Sequence, residues 1–580
     1  MKHCKMRAGS AVALAAGLLV AATGAAVAQG TAPPGPDSAH FKTVTFKKQG
    51  AGVDKLLTAT RMTQDQDAPA RGFTSPTSMQ AKPGDPNIVV AAAADMRTRT
   101  CYLVVSRNAG RSWKFAKELP QNREYPYCTS NSHAGVPHMM LAWGSDDTLY
   151  YAHLAYGDGE GPREGRGSIM LARTTNLGDS WQYTMVENNR GSTATPPPNS
   201  SGVSGLAVDT STPRDTVYVA FQTAYPDAAS DSLLRLPHPK VATSTDGGQT
   251  FGQTVDLNTF NRPTRDIGGK TYQTYMMTSF GAPFLFAKDG VVLAVAGSTF
   301  GFNDQPAPPP EAGAGLNPGV WYGYPMPHLI ARSTDQGKTW EIKPLGDPIF
   351  AGTGAFTPMV WTPRGGDKGT IVAAYNATPQ TAPSMNIQDI VVQRSTDMGV
   401  TWSPMLALDD DAPDLHATAF YPQLNVAPNG RVDAAWQDNR EKTATDFHFD
   451  VQYTYSTDGG VTWAPNVKVN DRSLDFNLGL SYNFDLRYPV GIASTNQYAI
   501  VGWADTRNAD ELSQAQDIYA TALQFAPLPS TENTTAPVIA AIFGGLVLAG
   551  VILLIVLLWK RGNASGSAAA TRKPAATAKT

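Results

Sequence analysis

The octet Ser456-Thr-Asp458-Gly-Gly460-Val-Thr462-Trp463 decides how this chain folds, because the same pattern recurs along the sequence. Its hydroxyl and carboxylate side chains can accept hydrogen bonds from backbone N–H groups inside a tight turn, and Gly460 suits a left-handed conformation that other residues resist. The closing aromatic residue then returns to an apolar layer, where a large ring fills space between neighbouring sheets. The octet therefore predicts a hairpin corner.

Five further copies of the octet precede this one. The first and last copies are 350 residues apart, a mean of 70 residues per interval, which is room for four short strands and their loops. Repetition at this period indicates the blades of a β-propeller. The earlier copies are Ser106-Arg-Asn108-Ala-Gly110-Arg-Ser112-Trp113, Thr174-Thr-Asn176-Leu-Gly178-Asp-Ser180-Trp181, Ser244-Thr-Asp246-Gly-Gly248-Gln-Thr250-Phe251, Ser333-Thr-Asp335-Gln-Gly337-Lys-Thr339-Trp340 and Ser395-Thr-Asp397-Met-Gly399-Val-Thr401-Trp402.

Strand-like segments around the last octet show how one blade is built. Alternating and apolar runs predict its four strands at residues 421–427, 431–436, 450–456 and 465–470. The octet thus connects the third strand to the fourth. The loops after the second and fourth strands then lie on the opposite face, where a functional site is expected.

The segment after the last octet repeats only three of these strands, at residues 487–494, 498–503 and 517–525. The missing fourth strand is predicted at residues 41–48, because pairing an N-terminal strand into the last blade closes the ring and removes an exposed edge. We therefore predict an all-β, seven-bladed propeller over residues 41–526. A six-bladed ring is the alternative if the last three strands pack differently.

The two ends of the chain predict where it resides. Basic residues and an apolar run that closes on Ala26-Val27-Ala28 indicate a signal peptide over residues 1–28, with an uncleaved N-terminal anchor as the alternative. Residues 538–559 carry no charge and are long enough to cross a bilayer as one helix. The basic tail at 560–580 favours a cytoplasmic C-terminus, which leaves the propeller extracellular and residues 527–537 as a stalk.

Composition and cysteine count narrow the partners. The formal net charge is −3 and no basic run lies outside the two ends, so nucleic acid is not expected as a partner. Export leaves Cys101 and Cys128 in an oxidising compartment, which predicts one structural disulfide.

The octet is the Asp box, and six copies in register resemble the repeats of sialidases and other Asp-box (BNR repeat) propellers. In that family the boxes lie on the face away from the substrate. The resemblance therefore implies that the carboxylates of these boxes are structural, and it implies glycans or glycoconjugates as ligands.

Three Asp-x-Arg sequences follow second strands in blades one, six and seven, which become neighbours when the ring closes. Such a cluster could bind a carboxylate-bearing sugar through bidentate arginine contacts, with an aspartate as general acid. The alternative is that each Asp and Arg pair with each other or with the next blade and hold loops in place. The sequences are Asp95-Met-Arg97, Asp438-Asn-Arg440 and Asp505-Thr-Arg507.

The sialidase pattern matches part of this Asp-x-Arg cluster, which we call the rim. Asp95 matches the acid/base position, although Thr74 stands where the family has the first arginine of Arg-x-Pro. Arg487-Tyr488-Pro489, followed by Asp505, resembles the motif but comes after the last box instead of before the first. The resemblance makes Asp95 and Asp505 candidate acids. It makes Arg97, Arg440, Arg487, Arg507 and Asp438 candidate substrate ligands.

The remaining site residues are less defined. Tyr125, Tyr482, Tyr488 and Glu124 are available as a Tyr/Glu nucleophile pair, but no motif selects among them. No cofactor is predicted. Asp409-Asp410-Asp411 with Asp414 and His416 offers oxygen ligands for Ca²⁺, and a solvated acidic loop is the alternative.

Two functions follow from these features. The first is a cell-surface, sialidase-type exo-glycosidase that hydrolyses terminal acidic sugars. The second is a non-catalytic extracellular propeller that binds glycan or protein partners as a receptor or an assembly scaffold. A fold shared by many functions does not choose between them.

Overall fold

The structure is a computed structural model, and the chain divides into two units, Met1–Ala526 and Pro527–Thr580. The fold described below belongs to the first unit. The described residues are 53–63, 72–74, 76–119, 125, 127–128, 139–157, 167–189, 199–224, 238–267, 270–277, 283–300, 327–346, 357–377, 388–411, 417–441, 448–475, 478, 489–509, 515–525 and 557–558.

Seven antiparallel sheets follow one another along the chain. Two short strands, β1 (Val53–Leu56) and β2 (Thr60–Arg61), precede the first complete blade and belong to the last one. Blade one is β3 (Ser78–Lys82), β4 (Asp85–Asp95), β5 (Thr100–Ser106) and β6 (Lys114–Glu118). Blade two is β7 (Met140–Trp143), β8 (Leu149–Ala155), β9 (Ser168–Thr174) and β10 (Gln182–Glu187). Blade three is β11 (Asn199–Asp209), β12 (Thr216–Ala224), β13 (His238–Ser244) and β14 (Gln253–Asp256), followed by a 3-10 turn, Leu257–Thr259.

Blade four has six strands because a hairpin is added to the usual four. The hairpin strands are β15 (Thr264–Ile267) and β16 (Lys270–Met277), and β16 pairs with the far half of β18. The four blade strands are β17 (Phe284–Lys288), β18 (Val291–Phe300), β19 (Leu329–Ser333) and β20 (Glu341–Pro344).

The last three blades complete the repeat. Blade five is β21 (Met359–Thr362), β22 (Thr370–Ala377), β23 (Asp389–Ser395) and β24 (Leu406–Ala407). Blade six is β25 (Ala419–Val426), β26 (Val432–Asp438), β27 (His448–Ser456) and β28 (Val467–Lys468), with β29 (Leu474–Asp475) pairing the start of β27. Blade seven is β30 (Gly491–Ser494), β31 (Tyr498–Asp505) and β32 (Asp517–Phe525) with β1 and β2.

The innermost strands of the seven blades form a closed ring. Each first strand, β3, β7, β11, β17, β21, β25 and β30, contacts the next, and β30 contacts β3. This establishes the seven-bladed propeller and makes the six-bladed alternative wrong.

An N-terminal strand closes the ring, as the pattern predicted, but it lies further along the chain. Val53 pairs with Phe525, and Thr60 pairs with Ala520, so β1 and β2 form the outer edge of blade seven. Asp517 strengthens this closure, because it accepts hydrogen bonds from Arg61 Nε at 3.1 Å and Thr63 Oγ1 at 2.7 Å. The predicted segment, residues 41–48, lies outside the described residues.

All six octets form the predicted turn between a third and a fourth strand. In the last one, Ser456 Oγ accepts the Gly460 N–H at 2.8 Å, and Asp458 Oδ1 accepts the Thr462 N–H at 2.9 Å. Gly460 has a φ of +81°, which a side chain would strain. The Trp463 ring is buried between blades five and six, where it packs among apolar side chains. We call this side of the ring the octet face and the other side the opposite face.

The predicted disulfide between Cys101 and Cys128 is present, with Cα atoms 5.9 Å apart. It ties β5 to the segment at 127–128, whose Cys128 N–H donates to the Arg99 carbonyl at 3.2 Å. The predicted signal peptide, stalk and cytoplasmic tail lie outside the described residues, as does the apolar segment at 538–559 apart from 557–558. Among the residues that the structure describes, no helix has the length and apolar character needed to cross a membrane.

Candidate functional site

Each Asp-x-Arg sequence turns the chain where a second strand ends on the opposite face. The aspartate Oδ1 accepts the backbone N–H of the arginine two residues later, at 2.9 Å for Asp95, 3.2 Å for Asp438 and 2.7 Å for Asp505. This local bond favours a tight corner after the strand. Because β30 contacts both β25 and β3, the structure brings the three corners onto adjacent blades.

The Arg440 guanidinium joins blade six to blade five. Its Nε donates to Asp438 Oδ2 at 2.8 Å, and its Nη1 donates to Asp410 Oδ1 at 2.7 Å. Its Nη2 donates to Asn466 Oδ1 at 3.0 Å. Asp410 follows the outer strand of blade five, so the arginine spans the boundary between two blades.

Arg507 repeats this arrangement one blade further on. Its Nη2 donates to Asp505 Oδ2 at 2.7 Å and to Asp471 Oδ1 at 2.6 Å, while Nη1 donates to Asp471 Oδ2 at 3.1 Å. The guanidinium lies 4.0 Å from the centre of the Tyr519 ring. Asp471 follows the outer strand of blade six, and only 11% of the Arg507 side chain is exposed. Two of the three candidate corners are therefore inter-blade ion pairs.

Both guanidiniums are firmly charged and both are committed to carboxylates. Burial alone would lower the pKa of Arg440 and of Arg507, but the paired carboxylates outweigh burial and hold each pKa above its usual value. Burial raises the pKa of Asp438, although the Arg440 charge opposes it. Each aspartate also accepts an indole N–H: Trp436 donates to Asp438 at 3.3 Å, and Trp503 donates to Asp505 at 2.9 Å.

Asp95 has different surroundings, although it occupies the same position in blade one. Its Oδ1 accepts the N–H groups of Gly72, at 3.2 Å, and Arg97, and only 7% of the residue is exposed. Burial raises the pKa of Asp95 and outweighs those N–H groups and the Arg97 charge. Thr74, at the position of the family's first arginine, is fully buried, and its N–H donates to the Ala94 carbonyl at 3.0 Å.

Among the residues proposed for the nucleophile pair, the structure describes Tyr125, which packs beside blade two. Tyr125 Oη donates to Asn188 Oδ1 at 3.0 Å in blade two. Four other predicted site residues, Glu124, Tyr482, Arg487 and Tyr488, lie outside the described residues. The Tyr/Glu nucleophile pair therefore stays a prediction.

The acidic loop of blade five contributes to the inter-blade contacts. Within blade five, Asp409 Oδ2 accepts the Ile390 N–H at 3.0 Å, and across the boundary to blade six Asp410 Oδ2 accepts the Asn466 N–H at 2.9 Å. Burial, together with the Asp411 charge, raises the pKa of Asp389 to about 7. Asp414 and His416 lie outside the described residues, and no group of three or more metal-ligating side chains occurs within the described ones. The Ca²⁺ site stays a prediction.

A second candidate site lies on the axis of the ring and was missed by sequence reasoning. A cavity of about 950 Å³ opens there, lined by the first strands of all seven blades and by the hairpins to the second strands in blades one, five, six and seven. These hairpins lie on the octet face. The aromatic residues at its edge, Trp143, Trp361 and Tyr498, share no motif. Aligning the blades on their octets would have placed them together, because each lies beside the hairpin that follows a first strand.

Comparisons with known proteins find similar folds at low sequence identity. No protein-family model matches the chain, and no curated protein matches it. A Hadza microbial sialidase is 13% identical, with a TM-score of 0.40, covering 76% of this chain and 74% of that one. Trypanosoma rangeli sialidase is 11% identical, with a TM-score of 0.37 and coverages of 66% and 54%. The α-L-arabinofuranosidase of Fusarium graminearum is 16% identical, with a TM-score of 0.35 and coverages of 63% and 92%. We infer no function from these similarities.

Proposed function

We propose that this chain is a glycan-binding propeller displayed outside the cell, and that it does not hydrolyse sialosides. The ligand class comes from the resemblance of the six octets to sialidase repeats, and the location comes from the predicted signal peptide and apolar segment. One observation carries the non-catalytic part: Arg440 and Arg507 each donate to two carboxylates of the protein itself.

Arginines that already pair with two protein carboxylates are poor ligands for a substrate carboxylate. Binding one would require Arg440 to release Asp410 or Asp438, and Asp438 is buried. Each hydrogen bond to a charged group contributes about 1.5–3 kcal/mol, and a buried carboxylate that loses its partner costs more. An incoming sugar acid would therefore replace existing ion pairs instead of satisfying free guanidiniums.

The second candidate function is sialidase-type hydrolysis with Asp95 as the acid. The observation that favours it is the buried position of Asp95 on the rim, where burial raises the pKa of its carboxyl in the direction that a general acid needs.

Turnover and binding can be separated in one set of experiments on the full-length protein. We expect retention on at least one surface of an immobilised glycan panel, and no release of fluorescent phenol from an α-linked sialoside. The key variant is Asp95→Asn, and the matched control is Asp85→Asn, on the octet face of the same blade.

Turnover that Asp95→Asn abolishes and Asp85→Asn retains would overturn the proposal in favour of the hydrolase. A folded protein that neither turns over sialosides nor binds any glycan would overturn it in favour of a protein-binding scaffold.

A further inference from the structure

The mouth of the axial cavity on the octet face is a cup formed by seven blades. Its volume of about 950 Å³ is at the upper end of the range typical of small-ligand sites. Deeper along the axis the first strands enclose a smaller space of about 320 Å³. The mouth is therefore a concave, open site at the point where the blades converge.

Hydrogen bonds between neighbouring hairpins hold this mouth in shape. In each case a side-chain oxygen on one hairpin accepts a backbone N–H of a neighbouring hairpin. The bonds are Asp215 Oδ2 with Ser145 at 2.9 Å, Asp209 Oδ2 with Gly290 at 2.6 Å, and Asn496 Oδ1 with Asn429 at 2.8 Å. A site that is already ordered loses little conformational entropy when a ligand binds.

Three aromatic rings stand at the mouth, from blades two, five and seven, and all three are partly exposed. Trp361 is fixed by its Nε1, which donates to the Lys368 carbonyl at 3.1 Å, and by the Lys288 ammonium 4.3 Å from the ring centre. The Lys82 ammonium lies 6.0 Å from the ring centre of Trp143. These rings provide fixed apolar surfaces on different sides of one cavity.

The described lining is almost uncharged. Lys82 is its one charged side chain, and Lys82 Nζ is paired with Asp147 at 2.9 Å. The side-chain amides of Gln80, Asn87 and Gln497 make no hydrogen bond among the residues that the structure describes. Amides both donate and accept, as sugar hydroxyls do. The lining thus offers polar partners without a free cation for an acidic group.

We propose that this mouth binds a neutral saccharide, whose C–H faces pack on Trp143 and Trp361 and whose hydroxyls bond to the free amides. The inference rests on the proposed function, because it takes a glycan as the ligand, but it places that glycan on the octet face instead of the Asp-x-Arg rim. An extended peptide is a poorer fit, because peptides bind along a groove or an exposed strand edge, whereas the mouth is a concavity surrounded by seven blades.

The test is titration of the full-length protein with neutral trisaccharides, namely maltotriose, cellotriose, mannotriose and triacetylchitotriose, and with 3′-sialyllactose as the acidic probe. Calorimetry measures affinity, and saturation-transfer NMR identifies the bound sugar. We expect one neutral trisaccharide to bind, and we expect Trp143→Ala to weaken it about tenfold.

Two further variants keep the test independent of folding. Gln497→Ala changes an exposed side chain of the mouth and is expected to weaken binding severalfold without changing stability. Trp402→Ala is the matched control, because Trp402 is a partly exposed tryptophan near the octet face that does not line the mouth.

Each contrary result has a distinct meaning. Binding of 3′-sialyllactose that the mouth variants leave unchanged would overturn this inference and leave the proposed function standing. Equal weakening by Trp402→Ala and the mouth variants would also overturn it. A folded protein that binds none of the five sugars overturns this inference, and the glycan panel then decides the proposed function separately.

Discussion

The two ends of strand β26 carry the same pair of residues in opposite order and use them differently. Arg431 and Asp433 stand at the octet-face end, and Asp438 and Arg440 stand at the opposite-face end. Both pairs are ion pairs at 2.7 Å. The first is sealed inside the protein, with side chains 1% and 0% exposed, whereas 15% of the Arg440 side chain is exposed.

The sealed pair is the centre of a buried cluster between blades six and seven. Arg431 Nη2 also donates to the Thr495 carbonyl at 3.0 Å, and the Tyr453 hydroxyl donates to Asp433 Oδ1 at 2.6 Å. The Phe525 ring, at the end of the closing blade, lies 3.8 Å from the guanidinium. Burial lowers and the Asp433 charge raises the pKa of Arg431, and the net effect is a raised pKa.

The comparison shows that the same kind of Arg–Asp pair has a different structural role depending on how far it is buried. At the octet face the charges are fully dehydrated, so each depends entirely on its protein partners. On the opposite face the arginine shares two carboxylates across a blade boundary and remains in contact with water. Neither arrangement leaves a guanidinium free for a ligand.

The largest loss of stability is expected at the octet-face end of β26, where the ion pair is fully buried. Arg431→Met leaves the Asp433 carboxylate buried without its cation and should lower the free energy of unfolding by about 3–5 kcal/mol. Urea denaturation followed by far-UV circular dichroism measures this. The double variant Arg431→Met, Asp433→Leu should recover much of the loss, and a loss below about 1 kcal/mol in the single variant would show that the cluster is not a centre of stability.

Acid should destabilise the protein through two buried histidines near the opposite face. Burial lowers the pKa of His153 and of His328 to about 4, against about 6.5 in an unfolded chain. Both are neutral in the folded protein, so their stabilising contribution is complete above pH 6.5 and is lost as the pH falls through 4. On the octet face, burial alone would raise the pKa of Asp335, but bonds from Thr339 and Ser333 lower it to about 2.

The measurement is unfolding free energy against pH for the parent protein and for His328→Phe. Between pH 6.5 and 4 we expect the stability of the parent to fall by up to about 3 kcal/mol relative to His328→Phe, because the unfolded parent binds a proton at His328 that the folded protein excludes. Equal slopes for the two proteins would mean that His328 is protonated in the folded state.

A moderate loss of stability is expected at the opposite-face end of β26. Arg440→Met removes the bonds to Asp410 and Asp438 and should lower the free energy of unfolding by about 1–3 kcal/mol, while glycan binding is unchanged. Lys468→Met is the comparison variant, because Lys468 is also paired with carboxylates but is more exposed. If Arg440→Met left the stability unchanged but abolished glycan binding, Arg440 would be a glycan ligand and not a structural ion-pair partner.

The smallest effect tests the octet turns themselves. The residue before the octet glycine is also left-handed, and Gln336 adopts a φ of +61° there. Gln336→Gly should stabilise the protein by about 0.5 kcal/mol, because it removes the strain at the cost of some backbone entropy. Gln336→Ala keeps the strain and should give no gain, and thermal unfolding distinguishes the two.

The repeats predicted most local features and the closure of the ring, but not the contacts whose partners lie in different blades. The octets predicted the third-to-fourth-strand turns and, through their spacing, the blades, and residues 517–525 match β32 to the residue. The left-handed residue before the glycine was missed, because non-glycine side chains occupy it in four octets, as with Leu177 and Met398.

The Asp-x-Arg corners illustrate why the site was harder to predict. Their local bonds follow from the spacing, but Asp410 is 30 residues before Arg440 and Asp471 is 36 before Arg507. Nothing in the sequence marks those carboxylates as partners until adjacent blades are assembled. The sealed pair was missed for the same reason, because Thr495 and Phe525 belong to the next blade.

The most direct test of the inter-blade role is a double-mutant cycle on Arg507 and Asp471, read as the free energy of unfolding in urea. The cycle compares Arg507→Met, Asp471→Asn and the double variant with the parent protein. A coupling of about 1 kcal/mol is predicted, because the two side chains form a bidentate ion pair across two blades. A coupling of zero would contradict the account and leave Arg507 available for a ligand.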